Sequence, residues 1–589
     1  MKMIEDLISD ILKGAFMRCN YDSVYGKVTL SNRPDLCQFQ CNGCLRAAKE
    51  YHKSPQVIAE EVMTQLGDVS CFKKLEYVKP GFINISVDDG LILEYINDMA
   101  NDISFGCEKR GTGTTIVIDY GGANVAKPLH IGHLRPAIIG ESIKRIGKFL
   151  GYTVLGDVHL GDWGLQIGLI ITEMKRRFPD LVYFDSNYEG EYPKEPPFNI
   201  SELEEIYPMA SNISKSDSEY LKEAKKNTYL FQKGHKGYIA LWKHILNVSI
   251  DDLKKNYDML NVHFDLWKKE SDVQGYIPDI IEDLKNKGVA YISDGALVVD
   301  VKKDTDKKEM PPCILVKSDG ATLYGTTDLA TIYERNKSYD PNEIIYIVDK
   351  RQELYFEQIF RCARKSNLVS EGTKLTYLGF GTMNGKDGKP FKTRDGNVMR
   401  LENLINELIK IVYDRVKEYD ISTKEAKEIS RKVGLAALKY GDLSNQLSKD
   451  YIFDIERFTS FEGNTGPYIL YTVVRIKSIL EKYYRIEGDL NDKDVSIISP
   501  TGESERKLML KLTLFNQIVT NSFIEYAPNK ICQYIYELSN EFNKFYNNNK
   551  IITEKNIKKQ RSWIKLIILV KDILVNGLDL LGIEVPDRM

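Results

Sequence analysis

The sequence predicts a multidomain α/β protein. We expect a doubly wound, parallel, Rossmann-like central domain with insertions, a small α+β N-terminal domain and an all-α C-terminal helical bundle. The 589 residues exceed one ordinary domain, so two to four domains are expected. Residues 114–159 follow a strand–turn–helix–strand order, which is the βαβ unit of a parallel sheet. From about Thr423 onward the hydrophobic periodicity is almost wholly helical.

Residues 1–110 predict the small α+β domain. Helical periodicity covers Ile4–Phe16, Pro55–Leu66 and Gly90–Met99. Short strands are expected at Lys27–Leu30 and Gly81–Ser86, where apolar residues are dense or alternate. The polar, glycine-containing run Glu108–Gly113 is expected to link this domain to the next.

Residues 111–400 predict the central parallel sheet. The β-branched run Thr114–Tyr120 favours a buried strand, and His130–Leu150 favours a helix that ends before Gly151. Strands are further expected at Thr153–His159, Ala296–Val301, Cys313–Lys317 and Ile344–Asp349. The helical, polar stretch at about 170–261 is expected to be an insertion. Residues 401–453 are expected to form a helical connector and 454–589 a separate helical domain.

The composition is that of a globular protein, with 43% hydrophobic and 28% charged residues. The net charge is -3, which neither supports nor excludes an RNA partner, since only the phosphate-facing surface must be basic. No apolar run approaches the roughly 18 residues of a membrane span. The first 16 residues carry Glu5, Asp6 and Asp10 and favour an amphipathic helix over a signal or transit peptide. We therefore expect a cytoplasmic protein without membrane contact.

Three cysteines, Cys37, Cys41 and Cys44, stand in the C-x3-C-x2-C spacing of iron–sulfur enzymes. A zinc site would need a fourth ligand, and His52 and Cys71 are the distant candidates. The favoured interpretation is a set of small, half-buried residues in a loop and helix start. No tightly bound protein metal is expected.

The segment Asn124–Arg135 follows the first predicted strand of the central sheet and opens its helix. Helix N-termini at this edge of such a sheet bind anions. His130 and His133 are three residues apart, so their rings share a face and can reach one triphosphate. Gly132 has no side chain and allows a flat base to approach the backbone. The pattern predicts a nucleotide held for attack at its α-phosphate, against the alternative of two ordinary surface histidines.

HIGH is the signature of class I aminoacyl-tRNA synthetases and related nucleotidylyltransferases. Five further stretches, with the extended HIGH region, resemble arginyl-tRNA synthetases specifically, in order and in spacing. They are ANVAKPLHIGHLR (123–135), GDWGLQIG (161–168), YGTTDLA (324–330), VDKRQ (348–352), GKPFKTRDGN (388–397) and GNTGPYILY (463–471). The HIGH region comprises Ala123, Asn124, Val125, Ala126, Lys127, Pro128, Leu129, His130, Ile131, Gly132 and His133.

The resemblance implies an enzyme that charges tRNA(Arg) with L-arginine, using ATP with Mg²⁺ and an arginyl-adenylate intermediate. By the same resemblance, the enzyme is a monomer and needs tRNA before it activates arginine. It also implies that His130, His133 and Lys127 act on the phosphates. The ATP-binding residues that it implies are His130, Gly132, His133, Gly161, Asp162, Gly164 and Gln166.

An arginine substrate needs a carboxylate for its guanidinium fork and another polar partner for its ammonium. Asp119 and Asp328 stand near predicted strand ends, where ligands of such sheets bind, although spacing alone favours helix caps. The resemblance assigns Asp119 and Asn124 to the α-amino and carboxylate end, Tyr324 and Asp328 to the guanidinium, and Gln352 to fixing the substrate.

Residues Lys386–Asn397 occupy the position of the mobile KMSKS loop of class I enzymes, whose lysines neutralise pyrophosphate. This chain lacks KMSKS, since Pro390 and Thr393 stand at the two usual lysine positions. Some arginyl enzymes share this departure, and a lysine at the position of Lys127 compensates. The basic residues close enough in sequence to contact phosphate are Lys389, Lys392 and Arg394, whereas a solvated hairpin is expected at Lys386. A second departure is Tyr355, where the family often has histidine.

The helical C-terminal domain resembles an anticodon-binding bundle, and the N-terminal domain resembles one that grips the tRNA elbow. Tyr468, Tyr471 and Arg475 are the candidate tRNA-binding residues, because splayed bases stack on aromatic rings and phosphates need cations. For the basic run Lys555–Arg561 alone, a solvated helix face is the favoured interpretation.

Three other functions are considered. Another class I synthetase would lack the combination of Asp119, Tyr324 and Asp328. A silent RNA-binding relative would have lost the histidines of HIGH, and both are present. An iron–sulfur enzyme would need Cys37, Cys41 and Cys44 to bind metal.

Overall fold

The computed structural model describes residues 1–589 except 68, 308, 319, 390–398, 419–420 and 489–494. Among the described residues, no helix combines the length and apolar character that crossing a bilayer requires.

The N-terminal part is the predicted α+β unit. Its elements are α1 (Ile4–Arg18), β1 (Val28–Leu30), β2 (Phe39–Cys41), α2 (Gly43–Tyr51), α3 (Pro55–Leu66), β3 (Phe72–Val78), β4 (Phe82–Val87) and α4 (Asp89–Ala100). The strands form an antiparallel sheet in the order β1-β2-β4-β3. Cys41 ends strand β2 at the sheet centre, so the expected loop around the three cysteines is partly strand.

The central part begins with the predicted βαβ unit and the helical insertion. Its first elements are β5 (Thr115–Asp119), α5 (Leu134–Phe149), β6 (Thr153–Asp157), α6 (Leu165–Arg177), α7 (Ile200–Ser216), α8 (Ser218–Gln232) and α9 (Lys236–Met259). It continues with α10 (Ile277–Asn286), β7 (Ala290–Ser293), β8 (Ala296–Val299), β9 (Cys313–Val316), α11 (Tyr324–Tyr339), β10 (Glu343–Asp349), α12 (Glu353–Lys365), β11 (Lys374–Phe380) and β12 (Met383–Asn384).

The Rossmann-like sheet has the order β11-β10-β5-β6 with every pair parallel. The register aligns Asp119 with Tyr346 on one side and with Asp157 on the other. Polar residues at these strand ends therefore meet at the carboxyl edge of the sheet. Strands β7, β8 and β9 form a separate antiparallel sheet, so two strands expected to resume the parallel pattern do not join it.

The C-terminal part is the predicted helical region. Its elements are α13 (Leu401–Val416), α14 (Thr423–Leu443), β13 (Tyr451–Ile452), α15 (Ile455–Phe458), α16 (Gly466–Glu487), α17 (Glu503–Leu512), α18 (Phe515–Ile524), α19 (Asn529–Asn548) and α20 (Ile557–Leu580). The predicted fold class is confirmed: an α+β unit, a parallel sheet with insertions, and a helical bundle.

The helical bundle packs directly against the other two parts. Arg506 of α17 binds Asp89 of α4 across 2.5 Å, and Ser142 of α5 donates to the carbonyl of Leu580 across 2.9 Å. The buried ammonium of Lys439 donates to the carbonyls of Leu260 and Gly582, both at 2.6 Å. These contacts fix the bundle relative to the sheet that carries the site.

Candidate active site

A cavity of about 590 Å³ opens at the carboxyl edge of the parallel sheet. Its walls are the turns after β5, β10 and β11 and the start of α5. The lining residues are Asp119–Gly122, His130–His133, Arg135, Pro136, Ile347–Asp349, Arg351, Gln352 and Phe380–Met383. The cavity thus lies where ligands of open parallel sheets bind.

Residues Ile131–His133 form a short 3-10 turn that leads into α5. The backbone N–H of His130 donates to Nδ1 of His133 at 3.1 Å, and that of Gly132 donates to Nδ1 of His130 at 3.0 Å. Burial is the main cause that lowers both pKa values, that of His133 to about 3, and the Lys127 charge adds to it. A neutral ring that accepts at Nδ1 carries its proton at Nε2. Each histidine is therefore an N–H donor, with ring centres 4.0 Å apart.

Lys127 lies beside the helical insertion, half-buried, with its ammonium 4.6 Å from the ring centre of Tyr207 in α7. The preceding residue, Ala126, has a φ of +59° and donates its backbone N–H to Ser249 of α9 at 2.9 Å. The insertion thus holds the turn before HIGH in a conformation that side chains rarely adopt. Lys127 is not among the residues that line the cavity.

The HIGH turn is joined to the residues that follow the predicted pyrophosphate loop. Ile131 donates its backbone N–H to Met399 at 3.1 Å, and Leu401 donates to Leu129 at 2.9 Å. Lys392 and Arg394 lie outside the described residues. Lys386 forms an exposed ion pair with Asp454 at 3.5 Å, consistent with the solvated hairpin expected for it.

A buried ion network lies under the cavity floor. Nη2 of Arg335, in α11, lies 2.6 Å from Asp119 and 2.5 Å from Asp157, and the arginine side chain is 1% exposed. Burial opposes ionisation of Asp157, but Arg335 and then His159 lower its pKa. Burial also opposes charge on His159, yet Asp157, 3.8 Å away, raises the pKa of that ring. Arg335 and His159 were not predicted as site residues.

The two residues predicted to bind the guanidinium of arginine, Tyr324 and Asp328, lie on α11. Asp328 accepts a hydrogen bond from the hydroxyl of Tyr355 in α12, and burial raises the pKa of its carboxyl. Tyr324, at the start of the helix, is 71% exposed. Glu270 is a further acid that sequence reasoning missed. Burial raises its pKa to about 7, while Asp328 lies close enough to add to the shift.

Asn124 packs against the GDWG turn rather than standing alone. Asn124 forms an isolated β-bridge with Gly161. A Cβ atom added to Gly161 would lie 2.1 Å from Oδ1 of Asn124. The amide of Gln166 donates to the carbonyls of Gly161 at 2.9 Å and Val125 at 3.3 Å. Asp162 is buried and accepts from the backbone and hydroxyl of Ser271 at 2.9 and 2.6 Å.

Four of the predicted ATP-binding residues do not line the cavity: Gly161, Asp162, Gly164 and Gln166. Within the described part of the chain, no atom lies within 4 Å of a Cβ placed on Gly164, the N-cap of α6. Their role toward ATP stays a prediction. Gln352 lines the cavity from the short turn Lys350–Gln352 after β10 and is exposed there.

The candidate tRNA-binding residues lie together on α16, facing α19. Arg475 lies over the ring of Tyr471 at 4.9 Å and donates to Asn543 at 2.9 Å. The hydroxyl of Tyr468 donates to Asn540 at 2.7 Å. Tyr471 is 41% exposed, so this patch offers an aromatic ring and a cation to a partner.

The three clustered cysteines are buried in the N-terminal core. Burial raises the pKa of the Cys41 thiol to about 11 and that of Cys44 to about 12, and Cys41 donates to the carbonyl of Tyr25. Within the described part of the chain, no group of three or more His, Cys, Asp or Glu side chains is placed to hold a metal ion.

Three family models match the chain, one for each part. Residues 2–87 match the N-terminal domain of arginyl-tRNA synthetases, and residues 469–589 match the DALR anticodon-binding domain. Residues 97–455 match the catalytic domain of class I tRNA synthetases for arginine. That last match alone covers more than half of the chain.

Relatives agree along the whole length. The arginine–tRNA ligases of Agathobacter rectalis and Alkaliphilus oremlandii are each 56% identical, with 100% of both chains covered. The crystal structure of arginyl-tRNA synthetase from Plasmodium falciparum matches with a TM-score of 0.82 and 25% identity over 100% of both chains. The Thermus thermophilus arginyl-tRNA synthetase, 20% identical and likewise fully covered, shares the fold with a TM-score of 0.79. The resemblance found in the sequence is thus confirmed, and the chain belongs to the class I arginyl-tRNA synthetases.

Proposed function

We propose that this protein attaches L-arginine to the 3′ end of tRNA(Arg), using ATP and passing through an arginyl-adenylate. The observation that carries the proposal is the pair of neutral N–H donors, His130 and His133, on the wall of a cavity that Asp119 also lines. Donors for phosphate and an acid for an amino group then share one cleft.

In the first step, a carboxylate oxygen of arginine attacks the α-phosphate of ATP, and the bond to pyrophosphate breaks. No covalent bond to the protein is required, so positioning and charge stabilisation supply the catalysis. The Nε2–H groups of His130 and His133 donate to the phosphate oxygens as negative charge shifts toward the leaving group. Lys127, Lys392 and Arg394 add countercharge, and Mg²⁺ accompanies ATP.

The arginine substrate is held at both ends. Asp119 and Asn124 bind its α-amino and carboxylate end, with Gln352 fixing its position. Tyr324 and Asp328 bind the guanidinium, and Glu270 adds negative charge beside them. Arg335 is shared between Asp119 and Asp157, which leaves Asp119 only partly neutralised and able to attract the substrate ammonium. Gly161, Asp162, Gly164 and Gln166 serve the adenosine side.

In the second step, a hydroxyl of the terminal tRNA ribose attacks the arginyl carbonyl, and AMP leaves. By class I analogy this is the 2′-hydroxyl. Tyr468, Tyr471 and Arg475 contact tRNA on the helical bundle, and arginine activation requires tRNA. We propose that the enzyme works as a cytoplasmic monomer.

The test is charging of total tRNA with each of the twenty amino acids, in the presence of ATP and Mg²⁺. Acid-stable label from arginine alone is the expected result. Label from another amino acid would contradict the assignment of the pocket. No label from any amino acid, with folded protein and competent tRNA, would point instead to an RNA-binding relative without activity.

A further inference from the structure

Tyr355 and Asp328 form a contact between two helices that border the site. Asp328 is the fifth residue of α11, and Tyr355 is the third residue of α12. The phenolic hydroxyl donates to Oδ2 of Asp328. Among the described residues, no other side chain donates a hydrogen bond to this carboxylate. One of its two oxygens is therefore held, and the other has no side-chain donor among the described residues.

The phenol suits this task because it stays protonated. Burial, followed by the charge of Asp328, raises the pKa of Tyr355 above its usual value. The hydroxyl thus remains a donor throughout the pH range in which proteins work. It also brings no net charge that would repel a cationic ligand.

Asp328 depends on such a donor because its surroundings are mixed in charge. Asp119 and Glu270 face it and oppose its ionisation, whereas His159 and Arg335 favour ionisation. Burial outweighs the favourable contacts and raises the pKa of the carboxyl. A lost hydrogen bond would therefore both loosen the carboxylate and make it easier to protonate.

The ring of Tyr355 is fixed independently of this hydrogen bond. Its ring packs edge-on against that of Phe356, with the ring centres 5.4 Å apart. Gly325 of α11 has no side chain, and a Cβ atom added there would lie 3.9 Å from the Tyr355 hydroxyl. Replacement of tyrosine by phenylalanine keeps these contacts and removes the donor alone. Since the donor and the packing are separable, the contribution of the hydroxyl can be measured.

We propose that Tyr355 is a positioning residue for the substrate: its hydroxyl holds one oxygen of Asp328 so that the other meets the arginine guanidinium. This inference rests on the proposed assignment of Asp328 to the guanidinium. Tyr355 acts on the substrate through Asp328, so its effect belongs to arginine binding and not to ATP binding or to the chemical step.

The experiment compares four variants of the full-length enzyme with the wild type: Tyr355→Phe, Tyr355→His, Asp328→Asn and Tyr183→Phe. Tyr183 is the control, because it is buried in the helical insertion, outside the cavity wall, and its hydroxyl has no hydrogen-bond partner among the described residues. Arginine-dependent exchange of pyrophosphate into ATP, with tRNA present, gives kcat and the separate KM values for arginine and ATP. Thermal unfolding verifies that each variant is folded.

We expect Tyr355→Phe to raise the KM for arginine about tenfold, the scale of a hydrogen bond to a charged group, with kcat and the KM for ATP within about twofold. Tyr355→His, which restores an N–H donor, should recover at least part of the loss. Asp328→Asn should raise the KM for arginine further, and Tyr183→Phe should leave it within about twofold.

An unchanged KM for arginine in Tyr355→Phe, alongside a raised one in Asp328→Asn, would overturn the inference and leave the proposed function intact. So would an equal rise in Tyr183→Phe or no recovery in Tyr355→His. An unaffected Asp328→Asn would overturn the assignment of Asp328 itself. Should Tyr355→Phe fail to fold, a KM for arginine in Tyr355→His within about twofold of wild type would support the inference. A tenfold rise there would count against it.

Discussion

Arg335 donates from Nη2 to Asp119 across 2.6 Å, so the carboxylate at the end of β5 is paired with a buried cation inside the protein. The same nitrogen also reaches Asp157. Two carboxylates thus share one guanidinium, and the ring of His159 lies beside the second of them. The side chain of Asp119 is 16% exposed, and a substrate ammonium can approach it from this exposed side.

Replacing Arg335 by methionine should leave both carboxylates buried without a cation. We expect a loss of about 3–5 kcal/mol in the free energy of unfolding, measured by urea denaturation. The KM for arginine should also rise. Arg485→Met, which removes an exposed helix-surface ion pair with Glu481, is the control and should scarcely move the unfolding midpoint. Equal midpoints for the two variants would contradict the buried network.

Lys127→Ala should reduce arginine activation about a hundredfold while the affinity for arginine changes little. The lysine precedes the HIGH turn, and its charge acts on both His130 and His133, so we assign it to the phosphates that these rings contact. Pyrophosphate exchange and equilibrium arginine binding separate the two effects. Lys386→Ala, whose partner is Asp454, is the control and should cost far less. Unchanged activation in Lys127→Ala would contradict the compensating role.

Arginine binding should strengthen as the pH rises through about 7. Burial raises the pKa of Glu270 to about 7, so its carboxylate becomes negative only above that pH. Measured as kcat/KM for arginine from pH 6 to 8.5, the rise should be smaller in Glu270→Gln. An identical pH profile in the variant would exclude Glu270 as its source.

The same group affects stability with the opposite sign. Between its ordinary pKa of 4.5 and about 7, the folded protein holds a proton that the unfolded chain releases. The contribution of Glu270 to the free energy of unfolding should therefore fall as the pH rises through that window. Comparison of urea denaturation at pH 5 and 7.5, in wild type and Glu270→Gln, measures it.

Gly161→Ala should raise the KM for arginine strongly, because the added Cβ would lie 2.1 Å from the side-chain oxygen of Asn124. That oxygen cannot stay in place, and the proposed amino-acid contact moves with it. Gly275→Ala is the matched control, because no atom of the described residues lies within 4 Å of the added Cβ. Steady-state pyrophosphate exchange distinguishes them, and equal KM values would show that Asn124 is not needed where it lies.

Arg475→Ala should raise the KM for tRNA about tenfold and leave the KM values for arginine and ATP unchanged. The variant removes a cation that lies over Tyr471 on the exposed patch of α16. If Arg475 contacts a phosphate, the dependence of tRNA binding on salt should also become shallower. Lys482→Ala, on the exposed surface of the same helix, is the control. Equal effects of the two variants would argue against a specific patch.

Local sequence patterns predicted the elements that carry the site. Strand β5 and the turn before α5 follow from a β-branched run and from two histidines in one tetrapeptide. Strand β11 was missed, because most of its residues are only half-buried and the alternation of apolar and polar residues is weak. The three-residue β2 was missed since three residues show no period.

The contacts that make the site were beyond such patterns. Arg335 is 216 residues from Asp119 in the chain, and nothing in its own helix marks it as different from a surface arginine. Glu270 follows two lysines, and the polar composition of this segment predicts a loop. Arg335 reaches the ends of β5 and β6 from α11, and Glu270 accepts from the backbone N–H of Trp163 at 3.4 Å. Only the tertiary fold brings these distant segments together. The sequence shows Tyr355 as a departure from the family and Asp328 as a site candidate, but it does not show that the two side chains form a hydrogen bond.

The cavity draws its walls from residues 119–136 and 347–383, and Arg135 donates to the carbonyls of Gly381 and Lys449. During synthesis, more than 300 further residues must therefore be added after Arg135 of α5 before Lys449, its last partner here, leaves the ribosome. Such distant pairings make folding slow and leave strand edges uncovered in the meantime. The active site of this enzyme thus stays incomplete during most of translation. The N-terminal unit is the earliest part of the chain that can complete its own sheet.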